Sequence, residues 1–217
     1  MKYEIINSSS KGNAIIVENI LLLDIGVSYA RLKKYLKKIK IIFISHDHKD
    51  HLNPITIRQI AYNHPNIKFI TGSNVVARKL AELSINKKNI YLLDEYKWYS
   101  LGVLKVSLEP LEHDTPNYAL KCEYKSKKMI YIVDTASVEH ISARGYDLYL
   151  IENNYCEDIL QKHILECEDK NKMFYLNRVS KTHLSNEQAN SFLIENMLDN
   201  GVYEYIHKSS YNYEEKW

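Results

Sequence analysis

The chain has 217 residues, 45% of them hydrophobic, and a formal net charge of +2. This length and composition fit one folded domain, which we expect over residues 1–217, and they exclude a disordered chain. The sequence holds no apolar run long enough to cross a membrane and shows no signal peptide, so we expect a cytoplasmic protein with no membrane partner. Its three cysteines include no Cys-x-x-Cys pair, which argues against a disulfide framework and against a cysteine zinc site.

The first half of the chain alternates short apolar segments with amphipathic ones. The patterns predict strands at 3–6, 14–17, 20–23 and 67–70, and helices at 31–40, from Asn53-Pro54 onward and from the Ser73 cap to about residue 83. One face of the helix at 31–40 carries several lysines. A solvated face is the simplest explanation for these lysines, and a nucleic-acid surface is the alternative.

The second half continues the alternation and becomes more helical toward its end. The patterns predict strands at 90–93, 103–108, 118–124, 129–133, 148–151 and 202–206, and helices at 158–167 and 186–198. The sequence shows no internal repeat and no Pro/Gly-rich linker. These elements together predict one compact domain of the α/β class.

Residues 45–51 read Ser-His-Asp-His-Lys-Asp-His and directly follow the apolar run at 41–44. Imidazole and carboxylate are the ligands that borderline-hard divalent metals prefer. A tight loop after a buried strand aims several such side chains at one point. The segment therefore predicts a metal site and metal-activated water chemistry.

Further ligand types stand at or beyond the ends of other predicted strands. His113 follows the strand at 103–108, Asp134 closes the strand at 129–133, and His183 precedes a helix. The loops after strands are where α/β proteins build their sites, so we expect these side chains to join the histidine loop. Four other histidines are interpreted as surface or core residues outside the site: His64, His140, His163 and His207.

The motif His46-x-His48-x-Asp50-His51, followed in order by His113, Asp134 and His183, resembles the metallo-β-lactamase fold hydrolases in their two-metal branch. The resemblance covers nearly the whole chain and implies a four-layer αββα sandwich with a dinuclear site at one edge of the two sheets. It implies that His46, His48 and His113 bind the first metal, that Asp50, His51 and His183 bind the second, and that Asp134 bridges both. It also implies that Asp24, which ends a predicted strand, orients a ligand histidine.

Two metals that share a carboxylate lower the pKa of a water molecule between them and supply hydroxide at neutral pH. Zinc is the metal we expect, with manganese as the alternative, because His/Asp sites accept several ions. Asp50 is also a candidate for orienting the hydroxide. His113 and His183 are candidates for a place near the leaving oxygen.

Finer features resemble the phosphodiesterase branch of the family, which includes ribonuclease Z, single-domain exonucleases and cyclic-nucleotide phosphodiesterases, some of them phage enzymes that destroy defence signals. These features are the Ser/Gly-rich turn at 8–13 and the segment at 182–189. The balanced charge favours a small cyclic nucleotide over a polynucleotide. We therefore predict a cyclic-nucleotide phosphodiesterase, with an exonuclease-like nuclease as the alternative. A thioesterase or lactonase and a non-catalytic nucleotide-binding protein also stay open.

Three side chains outside the ligand set are candidates for substrate contact: Lys181, Ser185 and Asn117. Each also has an ordinary explanation, as a solvated lysine, as a helix cap and as strand packing. The resemblance favours a homodimer. The tyrosine-rich tail at 203–217 is predicted either to cover a partner's pocket or to pack on its own sheet.

Overall fold

The structure, a computed structural model, describes residues 1–209. The strands are β1 (Tyr3–Ser9), β2 (Gly12–Val17), β3 (Leu21–Leu23), β4 (Ile41–Phe43), β5 (Lys68–Thr71), β6 (Ile90–Leu92), β7 (Tyr99–Leu101), β8 (Leu104–Leu111), β9 (Asn117–Tyr124), β10 (Lys127–Ile132), β11 (Leu148–Glu152) and β12 (Val202–Ile206). The α-helices are α1 (Tyr29–Leu36), α2 (Pro54–Asn63), α3 (Asn74–Glu82), α4 (Glu157–Leu165), α5 (Lys170–Thr182) and α6 (Asn186–Asn196). The strands form two mixed six-stranded sheets, in the orders β1-β2-β3-β4-β5-β6 and β12-β11-β10-β9-β8-β7.

The two sheets pack face to face, and helices cover their outer faces. In β2, Ile15 and Val17 belong to the core between the sheets, whereas Ala14 and Ile16 pack against the layer that contains α1, α2 and α3. This two-sided burial follows from the alternation of side chains along a strand. A third apolar cluster joins the outer face of the second sheet to α6, for example through Phe192. The expected α/β sandwich of the metallo-β-lactamase type is therefore confirmed.

The direction of the strands determines where the functional side chains meet. In the first sheet β3, β4 and β5 are parallel neighbours, and in the second sheet β10, β11 and β12 are parallel neighbours. Parallel strands end at the same edge of a sheet, and polar residues follow these ends. Asp24 comes directly after β3, Glu152 ends β11, and His207 directly follows β12.

The expected elements all have counterparts whose ends agree within four residues. The helix α1 ends earlier than expected, because the amide of Lys40 donates a hydrogen bond to the carbonyl of Ile20 and the chain already turns toward β4. The sequence analysis missed β7 and α5. Residues 210–217 of the tyrosine-rich tail lie outside the described part, so the predicted role of the tail and the predicted homodimer stay predictions. Within residues 1–209, no helix is both long and apolar enough to span a membrane.

Gly26 allows the chain after β3 to touch the histidine loop. A Cβ atom on Gly26 would lie 1.6 Å from the carbonyl oxygen of Asp50 and 2.4 Å from the amide nitrogen of Asn13. That same Asn13 amide donates to the Asp50 carbonyl at 2.7 Å. The loop that carries the ligands is therefore held by backbone contacts that leave no room for a side chain.

We predict that Gly26→Ala lowers the free energy of unfolding by about 3 kcal/mol, because backbone atoms rather than a flexible side chain must move. Urea unfolding followed by circular dichroism measures this loss. Gly102→Ala is the matched control, since a Cβ atom there meets nothing within 4 Å and only the positive φ of +66° adds a cost, of about 1 kcal/mol. Equal losses in the two variants would contradict the packing argument.

Candidate metal centre

The first group of candidate ligands consists of His46, His48, His113 and Asp134, whose ligand atoms all lie within 4.8 Å of one another. Nε2 of His46 is 3.3 Å from Oδ2 of Asp134, and Nε2 of His113 is 3.4 Å from Nδ1 of His48. The outward-facing nitrogens are held: His113 Nδ1 donates to the Thr182 carbonyl at 3.0 Å. The inward-facing nitrogens of these rings therefore converge on one point beside Asp134.

The second group consists of Asp50, His51, Asp134 and His207, again with ligand atoms within 4.8 Å of one another. Nε2 of His51 lies 3.0 Å from Oδ2 of Asp134 and 3.3 Å from Oδ2 of Asp50. Nε2 of His207 lies 3.4 Å from the same Asp50 oxygen. Asp134 belongs to both groups, which is the arrangement expected of a carboxylate that bridges two ions.

His207, interpreted from the sequence as a histidine outside the site, lies within the second group of candidate ligands. Its side chain is 2% exposed and its Nδ1 lies 3.0 Å from Oδ1 of Asp134. The signal that would have found it is its position, because it directly follows the predicted strand at 202–206 just as Asp134 follows β10. The position given to His183 beside Asp50 and His51 is thus taken by His207.

His183 instead lies in a third group, with Asp134, Glu152 and His207. Its Nδ1 is 2.7 Å from Oε1 of Glu152 and 3.4 Å from Oδ1 of Asp134, and its side chain is 19% exposed. Glu152 is fully buried and also accepts from the amides of Thr135 and Leu184. Glu152 was not among the residues predicted for the site, although it directly follows the predicted strand at 148–151.

Asp24 contacts His51 of the second group and fixes the orientation of its ring. It is fully buried and accepts hydrogen bonds from the Ser45 amide at 2.8 Å and from the Tyr131 hydroxyl at 2.7 Å. Nδ1 of His51 lies 2.7 Å from its Oδ2. Since an ionised carboxylate only accepts, Nδ1 of His51 carries the proton and Nε2 is directed toward Asp134.

Asp114 contacts two histidines of the first group, since its Oδ1 lies 3.1 Å from Nε2 of His48 and also 3.3 Å from Nε2 of His113. The other ring nitrogen of His48 faces His113. Its Oδ2 accepts from the Arg178 guanidinium at 2.9 Å. Asp114 is a further residue of the site that the sequence analysis did not assign.

The charges in the centre depend strongly on one another. Burial raises the pKa of Asp134, but the charges of the neighbouring His207 and His51 hold it well below its usual value. Burial lowers the pKa of His51, yet the negative charges of Asp134 and Asp24 raise it well above its usual value. Burial lowers the pKa of His113 to about 4, so this imidazole is neutral and offers a lone pair.

Two atoms show that the centre fits metal ions. Nε2 of His46 and Oδ1 of Asp134 are buried and make no hydrogen bond with any group in residues 1–209, although polar atoms lie 3.0–3.4 Å away. Buried polar atoms are rarely left in this state, because the lost hydration is not replaced. Neutral imidazoles and a shared carboxylate at such positions are suitable donors for a divalent cation. The buried groups are therefore consistent with a dinuclear metal site.

The three predicted substrate contacts have different surroundings. Asn117 is buried and donates from Nδ2 to the carbonyls of Val133 and Asp134, at 2.8 and 2.6 Å, so it positions Asp134. The Ser185 hydroxyl caps α6 and donates to Glu157, so it is already engaged. Lys181 is exposed near the end of α5.

We predict that His207→Ala loses one of two bound ions, whereas His183→Ala keeps both, because His207 contacts Asp50 and Asp134 while His183 contacts Glu152. The metal content of zinc-loaded protein, measured by elemental mass spectrometry, tests this. His140→Ala is the control, since His140 is exposed and its Nε2 donates to the Pro110 carbonyl at 2.8 Å, away from the three groups of candidate ligands. Loss of an ion in His183→Ala and not in His207→Ala would restore the assignment made from the sequence.

The comparisons with known proteins agree with this geometry. The family described as Beta-lactamase superfamily domain matches residues 22–195. No curated protein sequence gives a significant match. Among solved structures, the metallo-β-lactamase fold protein YhfI from Bacillus subtilis is similar, with a TM-score of 0.69, 17% identity and coverage of 95% of this chain and 85% of that chain.

Two further structures are similar in fold. The short form of human tRNase Z has a TM-score of 0.66 and 15% identity, over 97% of this chain and 93% of that chain. Zn²⁺-bound PqqB from Methylobacterium extorquens has a TM-score of 0.68 and 12% identity, over 98% of this chain and 90% of that chain. Identities this low establish the fold alone, whereas the family match covers most of the sequence. The chain belongs to the metallo-β-lactamase superfamily of metal-dependent hydrolases.

Proposed function

We propose that the protein hydrolyses phosphodiester bonds at the dinuclear centre, and that His183 donates the proton to the leaving oxygen. The observation that carries the proposal is the pair formed by His183 and Glu152 beside the shared carboxylate of Asp134. Nδ1 of His183 is held by the buried Glu152, and the side chain is partly exposed, so the other ring nitrogen is available to a substrate.

The metal ions would be held by two sets of residues. The first set is His46, His48, His113 and Asp134, and the second is Asp50, His51, Asp134 and His207. Two divalent ions supply a water of lowered pKa and neutralise the charge of a phosphodiester. Asp50, whose pKa is lowered by hydrogen bonds from His207 and His51 against the effect of burial, is ionised and is a candidate for orienting that water.

The electrostatics of His183 suit a general acid. Burial lowers the pKa of this side chain, but the negative charge of Glu152, the hydrogen bond to Glu152 and the charge of Asp134 raise it to about 10. Bound cations would bring this pKa back toward neutrality, which is the range in which proton donors work best. Glu152 thus keeps a proton on His183 in a strongly cationic site.

A cationic proton donor distinguishes a phosphodiester from a thioester among the candidate substrates. The alkoxide that leaves a phosphodiester is a poor leaving group and needs a proton in the transition state. The thiolate that leaves a thioester needs none, so a thioesterase would gain little from the pair of His183 and Glu152. The pair also argues against a protein that only binds a nucleotide. The likeness in fold to tRNase Z is in line with a phosphodiester substrate.

Among phosphodiesters, the cyclic nucleotide predicted from the sequence is one candidate and single-stranded nucleic acid is the other. A panel of substrates tests the function with purified, metal-loaded protein. It contains bis-p-nitrophenyl phosphate, 3′,5′-cyclic mononucleotides, single-stranded DNA and RNA, a thioester and a lactone. We expect hydrolysis of the phosphodiesters and loss of activity in Asp134→Asn. Hydrolysis of the carbonyl substrates alone would contradict the proposal.

The role of His183 predicts an effect that depends on the leaving group. We expect His183→Ala to lower kcat about 10²–10⁴-fold on a dinucleotide, whose alkoxide must be protonated, and much less on the p-nitrophenyl ester of a nucleotide. Initial rates on the two substrates measure the difference, and His140→Ala is the matched histidine control. Equal losses on both substrates would show that His183 has no role as an acid.

A further inference from the structure

One face of α5 combines positive charge with an exposed aromatic ring. The helix contains Lys170, Lys172, Arg178 and Lys181 and no acidic residue. Phe174 is 74% exposed, and its neighbours Met173 and Tyr175 are 36% and 49% exposed, so this helix presents large apolar side chains to solvent. The buried positions of α5 are Leu176, Val179 and Thr182, which pack toward the body.

The spacing of these residues aligns them. Residues 170, 174, 178 and 181 follow one another at intervals of four, four and three, which places them on one side of a helix. We call Lys170, Phe174, Arg178 and Lys181 the α5 face. It lies opposite Leu176 and Val179 and is exposed along its whole length.

The α5 face leads directly to the candidate metal centre. Thr182, the last residue of α5, accepts from His113 through its carbonyl, and His183 follows it. Arg178 is bound to Asp114, which contacts the ligand His48. At a rise of about 1.5 Å per residue, Phe174 lies about 13 Å along the helix axis from His183. The α5 face therefore extends away from the site over the length of a few nucleotides.

The cationic side chains of this face are available. Within the described residues, Lys170 and Lys181 form no ion pair, and Arg178 is half exposed although it contacts Asp114. Two acidic side chains lie against this helix: Asp114 pairs with Arg178, and Asp169 caps the first turn of α5. The helix itself carries no acidic residue, so Lys170 and Lys181 remain available to a phosphate.

We propose that the α5 face binds single-stranded nucleic acid, with Phe174 stacked on a base and the lysines beside the phosphates, and directs the strand to the metal centre. Positive grooves with aromatic rings on which bases stack are the common means of binding single strands. The inference rests on the proposed phosphodiesterase function and deepens it, because it names oligonucleotides rather than mononucleotides as substrates. The overall charge of +2 does not oppose it, since a strand contacts one face and not the whole chain.

The test compares kcat/KM for octanucleotides and dinucleotides, as DNA and as RNA, with kcat/KM for bis-p-nitrophenyl phosphate. We expect octanucleotides to be preferred over dinucleotides. We expect Phe174→Ala to lower the ratio of octanucleotide to bis-p-nitrophenyl phosphate activity about tenfold, as stacking of one base predicts. Replacing Lys170 and Lys181 by Gln should flatten the salt dependence of octanucleotide cleavage, by about 0.7 in logarithmic slope for each phosphate that is no longer neutralised.

Matched controls come from the opposite helical layer. Tyr62 on α2 is 87% exposed and Lys33 on α1 is exposed, so Tyr62→Ala and Lys33→Gln remove an aromatic ring and a charge elsewhere. These controls should keep the wild-type ratio. An equal ratio in Phe174→Ala and Tyr62→Ala would overturn the proposal, as would equal activity on dinucleotides and octanucleotides.

A binding measurement separates failure of this proposal from failure of the proposed function. Cleavage of bis-p-nitrophenyl phosphate without any cleavage of oligonucleotides overturns the role of the α5 face and leaves the phosphodiesterase standing. If no phosphodiester is cleaved, the proposed phosphodiesterase function is wrong. Fluorescence anisotropy with a labelled octanucleotide then tests binding to the α5 face independently of cleavage. A Kd about tenfold weaker in Phe174→Ala supports the α5 face, and an unchanged Kd overturns it.

Discussion

The carboxylate of Asp134 is the point on which the whole centre depends. One of its oxygens faces His46 and His51, and the other faces His183 and His207, at distances of 3.0–3.4 Å. Its backbone has a φ of +51°, a conformation that costs about 1–3 kcal/mol for a residue other than glycine. Asn117, through its hydrogen bonds to the carbonyls at this bend, holds it there. A shift of this one side chain would alter both groups of ligands together.

The surroundings of Asp134 show how the protein stabilises several buried carboxylates. Asp24 and Glu152 are fully buried and Asp50 is largely so, and the desolvation of such charges costs several kcal/mol each. Each of these acids contacts at least one histidine, and Asp24 and Glu152 also accept hydrogen bonds from backbone amides. The negative charge is therefore balanced locally, by protons on the imidazoles or by divalent cations at the same positions.

Most of the fold, and six of the seven residues in the first two groups of candidate ligands, were expected from the sequence. The histidine loop was recognisable because its ligands are neighbours in the chain, and the strands because their apolar residues alternate or run together. His207 was missed because its role depends on three parallel strands lying side by side. Glu152 pairs with Ile206 across β11 and β12, and this register brings His207 beside Asp134. Such a neighbourhood exists only after the sheet has formed, although the position of His207 directly after a strand was a usable signal.

The helix α5 was missed for a different reason, and the reason bears on function. Only Leu176, Val179 and Thr182 are buried in its thirteen residues, so its apolar pattern is weak. A helix with so little buried surface gains little stability from packing, and its sequence is free to serve another purpose on the exposed side. The net charge of the chain does not indicate a cationic helix, because acidic residues elsewhere in the chain offset the positive charges of α5. A nucleic-acid strand responds to the local field of the surface that it touches, so the net charge of a whole protein is a poor guide to such a surface.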